Sequence, residues 1–386
     1  MQKLMRITTV PVTLFILLKE QLSFISKYFD IVAVSSPGKM LNDIADETKV
    51  KIVAIPMTRK VTPLHDFLSL VRLVGVIKKE KPLIVHTHTP KAGLLGMIAA
   101  QVAGVPIRMH TVAGMPLLEK KGLLRYCLDI TEKITYSCAT RVYPNSERLL
   151  QIIAENKYCS QDKLQVIGKG SSNGIDTSYF NPQLFDKNKR KEIRSALNIR
   201  VNDFVFCFIG RIVSDKGVNE LVNAFLKVNA VYPSTKLLLV GPFEDHLDPL
   251  QASTKNIILT NNNIIVPGYQ KDVRPYLAIS TAFVFPTYRE GFPNVLMQAG
   301  AMNLPCITTD INGCSEIIKH MVNGLIVPVK NTGALGYAMM LLVSDSGLVN
   351  KLSAQSRGQI KTLYEQTYVM DELLTEYRRQ LAKLLN

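Results

Sequence analysis

The sequence holds no D-x-D triplet, no C-x-x-C pair and no apolar run long enough to cross a bilayer. Without D-x-D, paired carboxylates that would chelate a metal–diphosphate have no candidate. The six cysteines (Cys127, Cys138, Cys159, Cys207, Cys306, Cys314) are scattered through apolar or helical stretches. They read as free buried thiols of a reducing cytoplasm, not as a disulfide framework. The most apolar early run, Val10 to Leu18, meets Lys19 and Glu20, and Leu94 to Ile107 is broken by Gln101 and Pro106. No small-residue cleavage site follows the first run, so any membrane contact is expected to be peripheral. A dense basic run interleaved with aromatics is also missing, and nucleic acid is not expected as a partner.

What is present is a chain of 386 residues, 47% hydrophobic and 20% charged, which is enough for two domains of similar size with real cores. The net charge of +15 favours anionic partners without naming them. Its lysines and arginines are dispersed, with small groups at Lys78, Lys79 and Lys81, at Lys120, Lys121 and Arg125, and at Lys187, Lys189, Arg190 and Lys191. Most read as a solvated basic surface. At roughly 1 kcal/mol per basic residue near an anionic membrane, a few suffice for weak, reversible attachment.

Short apolar runs alternate with helical patterns along the first half. Strands are expected at Leu4–Thr8, Ile31–Ser35, Lys51–Ile55, Leu83–Thr87, Ile107–Thr111 and Arg141–Tyr143, with amphipathic segments near 13–27, 63–80, 91–103 and 118–138. The pattern loosens between Phe180 and Arg200 and then restarts. Strands are expected again at Phe204–Ile209, Lys236–Val240, Ile264–Val266, Ala282–Phe285, Cys306–Thr308 and Leu325–Val327. Unbroken apolar strands separated by helices imply parallel sheets covered on both faces. The expected fold is α/β, with two Rossmann-like domains facing across a cleft. A first domain is expected over 1–184 and a second over 185–365. A charged amphipathic helix at 366–386 is expected to pack back on the N-terminal domain.

Ligands of such sheets sit beyond the carboxyl ends of the strands. After Phe204–Ile209 come Gly210 and Arg211, then Asp215-Lys216-Gly217 and a helix from Val218. Gly210 permits a sharp turn, and Arg211 and Lys216 can converge on a pair of phosphates as a planar fork and a mobile point charge. After Ala282–Phe285 comes Pro286-Thr-Tyr-Arg-Glu290-Gly291-Phe292-Pro293-Asn294, followed by an expected helix Val295–Met302. Pro293 suits a first helical turn, and free N–H groups of Asn294, Val295 and Leu296 would make an anion site. Glu290 can accept from sugar hydroxyls, and Gln298 lies one to two turns into the helix.

These motifs, together with Gln298-Ala-Gly-Ala-Met-x-Leu-Pro, Asp310-Ile-Asn-Gly-Cys-Ser-Glu, Asn323-Gly324, Asn173-Gly-Ile-Asp176 and Pro144-Asn-Ser146, resemble the retaining glycosyltransferases of family 4, which have the GT-B fold. The resemblance covers nearly the whole chain. It implies that Arg211 and Lys216 hold the donor diphosphate, and that Glu290, first glutamate of an E-x7-E motif, contacts the transferred sugar. It also implies that His110, before Ala113-Gly-Met-Pro116, bonds that sugar near the reacting carbon. The second motif glutamate, which grips the ribose in the family, is here Gln298. An amide can still bond two hydroxyls, but without charge assistance. The Gly-rich loop that often follows the first strand is replaced by Thr8-Thr-Val-Pro-Val-Thr13. Gly268 and Tyr269 are expected to flank the base, and His88 and Lys91 to stand at the acceptor mouth.

No metal is expected. His86, His88 and His110 could be imagined as a zinc triad, but H-x-H at a strand end arises cheaply by chance. Glu244-Asp245-His246-x-Asp248 reads as a solvated loop. The resulting expectation is a metal-independent, retaining transfer of a hexose or N-acetylhexosamine from a nucleotide-diphosphate sugar, UDP-linked by analogy, in polysaccharide biosynthesis. The acceptor would be a glycan or a polyprenyl-diphosphate-linked sugar, and the setting the cytoplasmic face of a membrane. No cofactor beyond the nucleotide-sugar co-substrate is expected. Two rival readings are a sugar-nucleotide epimerase or phosphorylase of the same fold, and a catalytically silent nucleotide-sugar-binding partner subunit.

Overall fold

The structure, a computed structural model, describes the whole chain except Pro116, Leu118, Glu119, Lys120, Leu247 and Asn386, and the side chain of Leu385. Pro116 and Lys120, and the start of the segment expected at 118–138, therefore lie outside the described residues. The chain divides into two compact units, Met1–Asn173 with Thr367–Asn386, and Gly174–Gln366.

The first unit is a six-stranded parallel sheet of β1 (Lys3–Ile7), β2 (Asp30–Ser35), β3 (Lys51–Ala54), β4 (Ile84–His88), β5 (Ile107–Val112) and β6 (Arg141–Pro144). Its strand order is β3-β2-β1-β4-β5-β6. Met5, Ile7, Val32, Val34 and Val85 pack on one face beneath the Pro90–Val102 helix. Leu4, Ile31, Ala33 and Ile84 pack on the other, with Leu22 and with Leu373, Leu374 and Tyr377 of the last helix, Gln366–Leu385. Burial on both faces is why the strands read as unbroken apolar runs.

The second unit repeats this plan with β7 (Phe204–Ile209), β8 (Thr235–Val240), β9 (Ile264–Gly268), β10 (Ala282–Phe285), β11 (Cys306–Thr309) and β12 (Gly324–Val327). Its order is β12-β11-β10-β7-β8-β9. One core runs through it, including Phe206, Phe208, Phe225 and Phe283, all fully buried.

The division at Asn173/Gly174 differs from the expected 184/185 for a physical reason. Ile175 N–H donates to the Tyr364 carbonyl at 2.7 Å, and Gln366 N–H to the Ile175 carbonyl at 3.0 Å. Arg357 binds the Thr177 and Phe180 carbonyls, and Phe180 and Phe185 enter the second core. The Asn181-Pro182 break thus lies inside the second unit, not between the two.

The cysteines are all free, but only Cys207, Cys306 and Cys314 are buried; Cys127 is exposed. Among the described residues, no single helix is long and apolar enough to cross a membrane. The pair Thr332–Ser344 and Ser346–Tyr364 passes a length-and-composition test together, yet turns by 99° and sends Leu335, Met339, Leu342, Leu352 and Ile360 into the second core.

Candidate active site

In each sheet the strand order reverses beside its first strand, between β1 and β4 and between β7 and β10. The position beyond the carboxyl ends of those strands is the usual ligand site of such sheets.

In the second unit the loop after β7 and the loop after β10 are zipped together. Tyr288 N–H donates to the Asp215 carbonyl at 2.9 Å, and the Arg289 guanidinium donates to Asp215 Oδ2 at 3.0 Å. Gly217 sits at φ +70°, and a Cβ there would stand 2.0 Å from the Pro286 carbonyl oxygen. Only glycine permits both the turn and the contact. The outcome is that Lys216 Nζ lies 2.5 Å from Glu290 Oε1, with the two side chains 13% and 18% exposed. Thr287 Oγ1 donates to the same carboxylate oxygen at 3.2 Å. A third loop, after β11, braces the turn: Asn312 Nδ2 donates to the Glu290 carbonyl at 2.6 Å. Beside it, Gly313 at φ +76° leaves no room for a Cβ, which would meet the Gly291 carbonyl oxygen at 2.4 Å. Asn312 and Gly313 have no individual role in the sequence reading, although an Asn-Gly pair just past a strand is a turn signal.

Arg211 opens the same loop after β7 that carries Lys216. Its Nη1 donates to Glu244 Oε2 at 3.2 Å, and the side chain is half-exposed. The loop carrying Glu244 is therefore not simply solvated, as the sequence suggested. Asp248 Oδ2 accepts from Asp215 N–H at 2.6 Å, so this acidic segment supports the same loop that presents Lys216. Gly210 closes β7, donating to the Val240 carbonyl at 3.0 Å. Gly268 ends β9, two residues later than expected, and Tyr269 follows it, 75% exposed.

The helix after β10 spans Asn294–Ala301 with Pro293 as its N-cap, one residue earlier than expected. Leu296 N–H donates to the Pro293 carbonyl at 3.2 Å, and its side chain is in the core. Leu296 is thereby removed from the expected set of free amides, since its donor closes the first turn. Gly291 adjoins Gly313, Phe292 packs on Tyr364 with ring centroids 5.4 Å apart, and Val295 and Gln298 are half-buried.

In the first unit, the Thr8–Thr9 segment meets the strand end across the switch point. Thr9 Oγ1 lies 2.7 Å from Thr89 Oγ1, and Ala92 N–H donates to Thr9 Oγ1 at 3.2 Å. Thr89 adopts φ +82°, a costly conformation for a β-branched residue. His110 on β5 is buried, with Nδ1 2.8 Å from Thr87 Oγ1. Burial lowers its pKa to about 4, so the ring is neutral at physiological pH. His88 accepts from Arg6 Nε at 3.0 Å, and burial together with the Arg6 charge holds it far below the usual histidine range. Lys91 instead pairs with Asp66, so these two expected acceptor residues point to different partners.

His86 and His88 lie together, with ring centroids 4.3 Å apart, but His110 does not join them. His86 is bound to Tyr377 OH at 2.6 Å and to Thr111, whereas His110 bonds Thr87 in the other face's layer. Among the described residues no group of three or more His, Cys, Asp or Glu is arranged to hold a metal ion. The buried link from Gln21 through Arg6 to His88 escapes sequence reading because its members lie far apart. Its one local signal is a cation inside the apolar run Leu4–Ile7.

With this geometry in place, comparison with known proteins is informative. Residues 29–170 match the family described as glycosyl transferase 4-like domain, and residues 189–359 the family described as glycosyl transferases group 1. The capsular polysaccharide biosynthesis glycosyltransferase CapM of Staphylococcus aureus is 33% identical over 384 residues, covering 99% of this chain and 98% of the relative. An Escherichia coli UDP-Gal:alpha-D-GlcNAc-diphosphoundecaprenol alpha-1,3-galactosyltransferase is 28% identical over 87% of this chain and 85% of its own. Among solved structures, Anabaena HepE in complex with UDP superposes with a TM-score of 0.81 at 15% identity, covering 98% of this chain and all of the other.

Proposed function

This chain belongs to the glycosyltransferases of the group 1 and 4-like families and has their GT-B fold, and from that premise we propose a retaining, metal-independent transfer from a UDP-linked sugar to a lipid-linked or glycan acceptor. The setting is polysaccharide assembly on a lipid-linked acceptor, as the names of the capsular and diphosphoundecaprenol relatives suggest, and we place it at the cytoplasmic face of a membrane. The observation that carries the reading is the Lys216–Glu290 pair, held between two zipped loops at the β7/β10 switch point.

In this reading the donor diphosphate takes Lys216 as counter-ion. Arg211 and the amides of Asn294 and Val295, at the start of the Asn294–Ala301 helix, share the remaining charge. Positive groups fixed in advance stabilise the charge growing on the leaving phosphate, which is the task a divalent cation performs elsewhere. Glu290, relieved of part of its pairing, accepts from the sugar hydroxyls. His110, neutral at working pH, bonds the transferred sugar. The acceptor oxygen attacks the anomeric carbon on the face the diphosphate leaves, and a donor phosphate oxygen takes its proton. The anomeric configuration is thereby retained with no protein nucleophile.

Arg211→Ala and Lys216→Ala should each lower sugar transfer about 10²–10³-fold, with the fold checked by thermal melting because the Lys216 change also unpairs Glu290. Near-native turnover in both variants would remove the assignment. Transfer should persist in excess chelator, and a loss restored by magnesium would overturn metal independence. Thermal-shift screening of UDP, GDP and ADP should give UDP the largest shift.

A further inference from the structure

In the proposed reaction His110 bonds the transferred sugar, and what it offers there depends on which ring nitrogen carries the proton. A neutral imidazole donates at one nitrogen and accepts at the other, so a hydrogen bond made by the first fixes the role of the second. Burial keeps His110 neutral at working pH. The choice is therefore between Nδ1–H and Nε2–H.

Thr87 and His110 are cross-strand partners on β4 and β5, and both side chains lie under the Pro90–Val102 helix. Two glycines of that helix, one turn apart, receive them. A Cβ at Gly93 would collide with His110 Cε1, and a Cβ at Gly96 would stand 2.6 Å from Thr87 Cγ2. The methyl seated at Gly96 fixes the Thr87 rotamer, and its hydroxyl then lies 2.8 Å from His110 Nδ1. Tyr136 adds a third contact, its ring centroid 5.9 Å from that of His110.

Thr87 turns two oxygens to the imidazole. Besides the hydroxyl, its backbone carbonyl hydrogen-bonds the ring, the one influence that favours ring protonation. A carbonyl only accepts. The Thr87 hydroxyl donates to the Met109 carbonyl at 3.5 Å, so the proton at the Thr87–His110 contact is the imidazole's own. Nε2 keeps its lone pair. It has no partner among the described residues, yet it is not one of the sealed, unsatisfied atoms, which are Arg6 Nη1, Tyr136 OH, Asn145 Oδ1 and Asp215 Oδ1. It is open to a ligand.

We propose that Thr87 is a positioning residue that holds His110 as the Nδ1–H tautomer, so that bare Nε2 accepts a hydrogen bond from the transferred sugar. The sugar meets it with a proton-bearing group, a hydroxyl or an acetamido N–H. A carboxylate at that place would set lone pair against lone pair. The purpose rests on the reading of His110 as a sugar ligand, whereas the tautomer is measured without substrate, so the two can fail separately.

The test begins with nitrogen NMR of the full chain carrying isotope-labelled histidine, in which protonated and bare ring nitrogens resonate far apart. His110→Ala identifies the signals. Wild type and Thr87→Ser should show protonated Nδ1 and bare Nε2, and Thr87→Val should shift toward Nε2–H. Turnover is read as UDP release from whichever of UDP-glucose, UDP-galactose and their N-acetylamino forms the wild type consumes fastest. Thr87→Val should lower kcat about tenfold and Thr87→Ser less than about threefold, with UDP affinity unchanged in both. A residue that only filled space would give the opposite order, because serine empties the Gly96 notch and valine fills it. An Nε2–H signal in wild type, or valine matching serine in turnover, would overturn the proposal. Full turnover by His110→Ala would overturn it through the sugar contact, leaving the tautomer standing.

Discussion

Lys216 and Glu290 neutralise one another in a half-buried site, which poises each for a different part of one ligand. Gln298 is the residue where this chain departs from the E-x7-E pattern, and it sits half-buried on the helix whose first turn adjoins them. If it grips the ribose, the amide supplies neutral hydrogen bonds where a carboxylate would supply charge-assisted ones of roughly twice the strength. Gln298→Glu is therefore expected to tighten UDP binding by up to about tenfold, and Gln298→Ala to weaken it several-fold, both by titration calorimetry. Unchanged affinity in Gln298→Ala would detach this residue from the nucleotide. The substitution was visible only against the E-x7-E motif that the family resemblance implies. The Arg211–Glu244 pair was not, because 33 residues separate its members and only the adjacency of β7 and β8 brings their loops together.

Among elements, the twelve strands were legible to within one or two residues because burial on both faces leaves continuous apolar runs that helices cannot mimic at that length. Helix ends were less so. The Met40–Thr48 and Glu147–Glu155 helices were not anticipated, although Ser146 caps the second by accepting from Leu149 N–H at 3.1 Å. The expected 13–27 helix contains a π segment at Leu14–Leu18, a widening that depends on packing and leaves no local mark. Element contacts also give the glycine prediction. Gly217→Ala forces a Cβ onto the Pro286 carbonyl at positive φ and should cost at least about 2 kcal/mol, with UDP affinity falling as the two loops part. Gly75→Ala, mid-helix with open space around it, should instead stabilise by roughly 1 kcal/mol. Urea unfolding of both variants, with equal effects as the contrary result, checks the argument.

At the scale of the whole molecule, the chain leaves its first unit at Asn173 and returns to it at Thr367, so the last helix belongs to a sheet built more than two hundred residues earlier. Its contribution is concrete. Leu373, Leu374, Tyr377 and Leu381 enter the first unit's core, Tyr377 OH meets His86, and Tyr143 OH donates to Glu376 at 2.6 Å. Removing residues 367–386 would expose the face of Leu4, Ile31 and Ile84 and leave His86 and Tyr143 without these partners in a dry layer, a penalty of roughly 1–3 kcal/mol per stranded group beyond the lost apolar burial. The second unit keeps its own core and every residue assigned to the nucleotide. The truncated chain should therefore lose sugar transfer and show early melting of its N-terminal portion by hydrogen exchange, while UDP affinity stays within a few-fold of the full chain. If UDP binding were abolished along with transfer, the nucleotide would not be held by the second unit alone, and the assignment of Arg211, Lys216 and Gln298 would have to be shared with residues of the first.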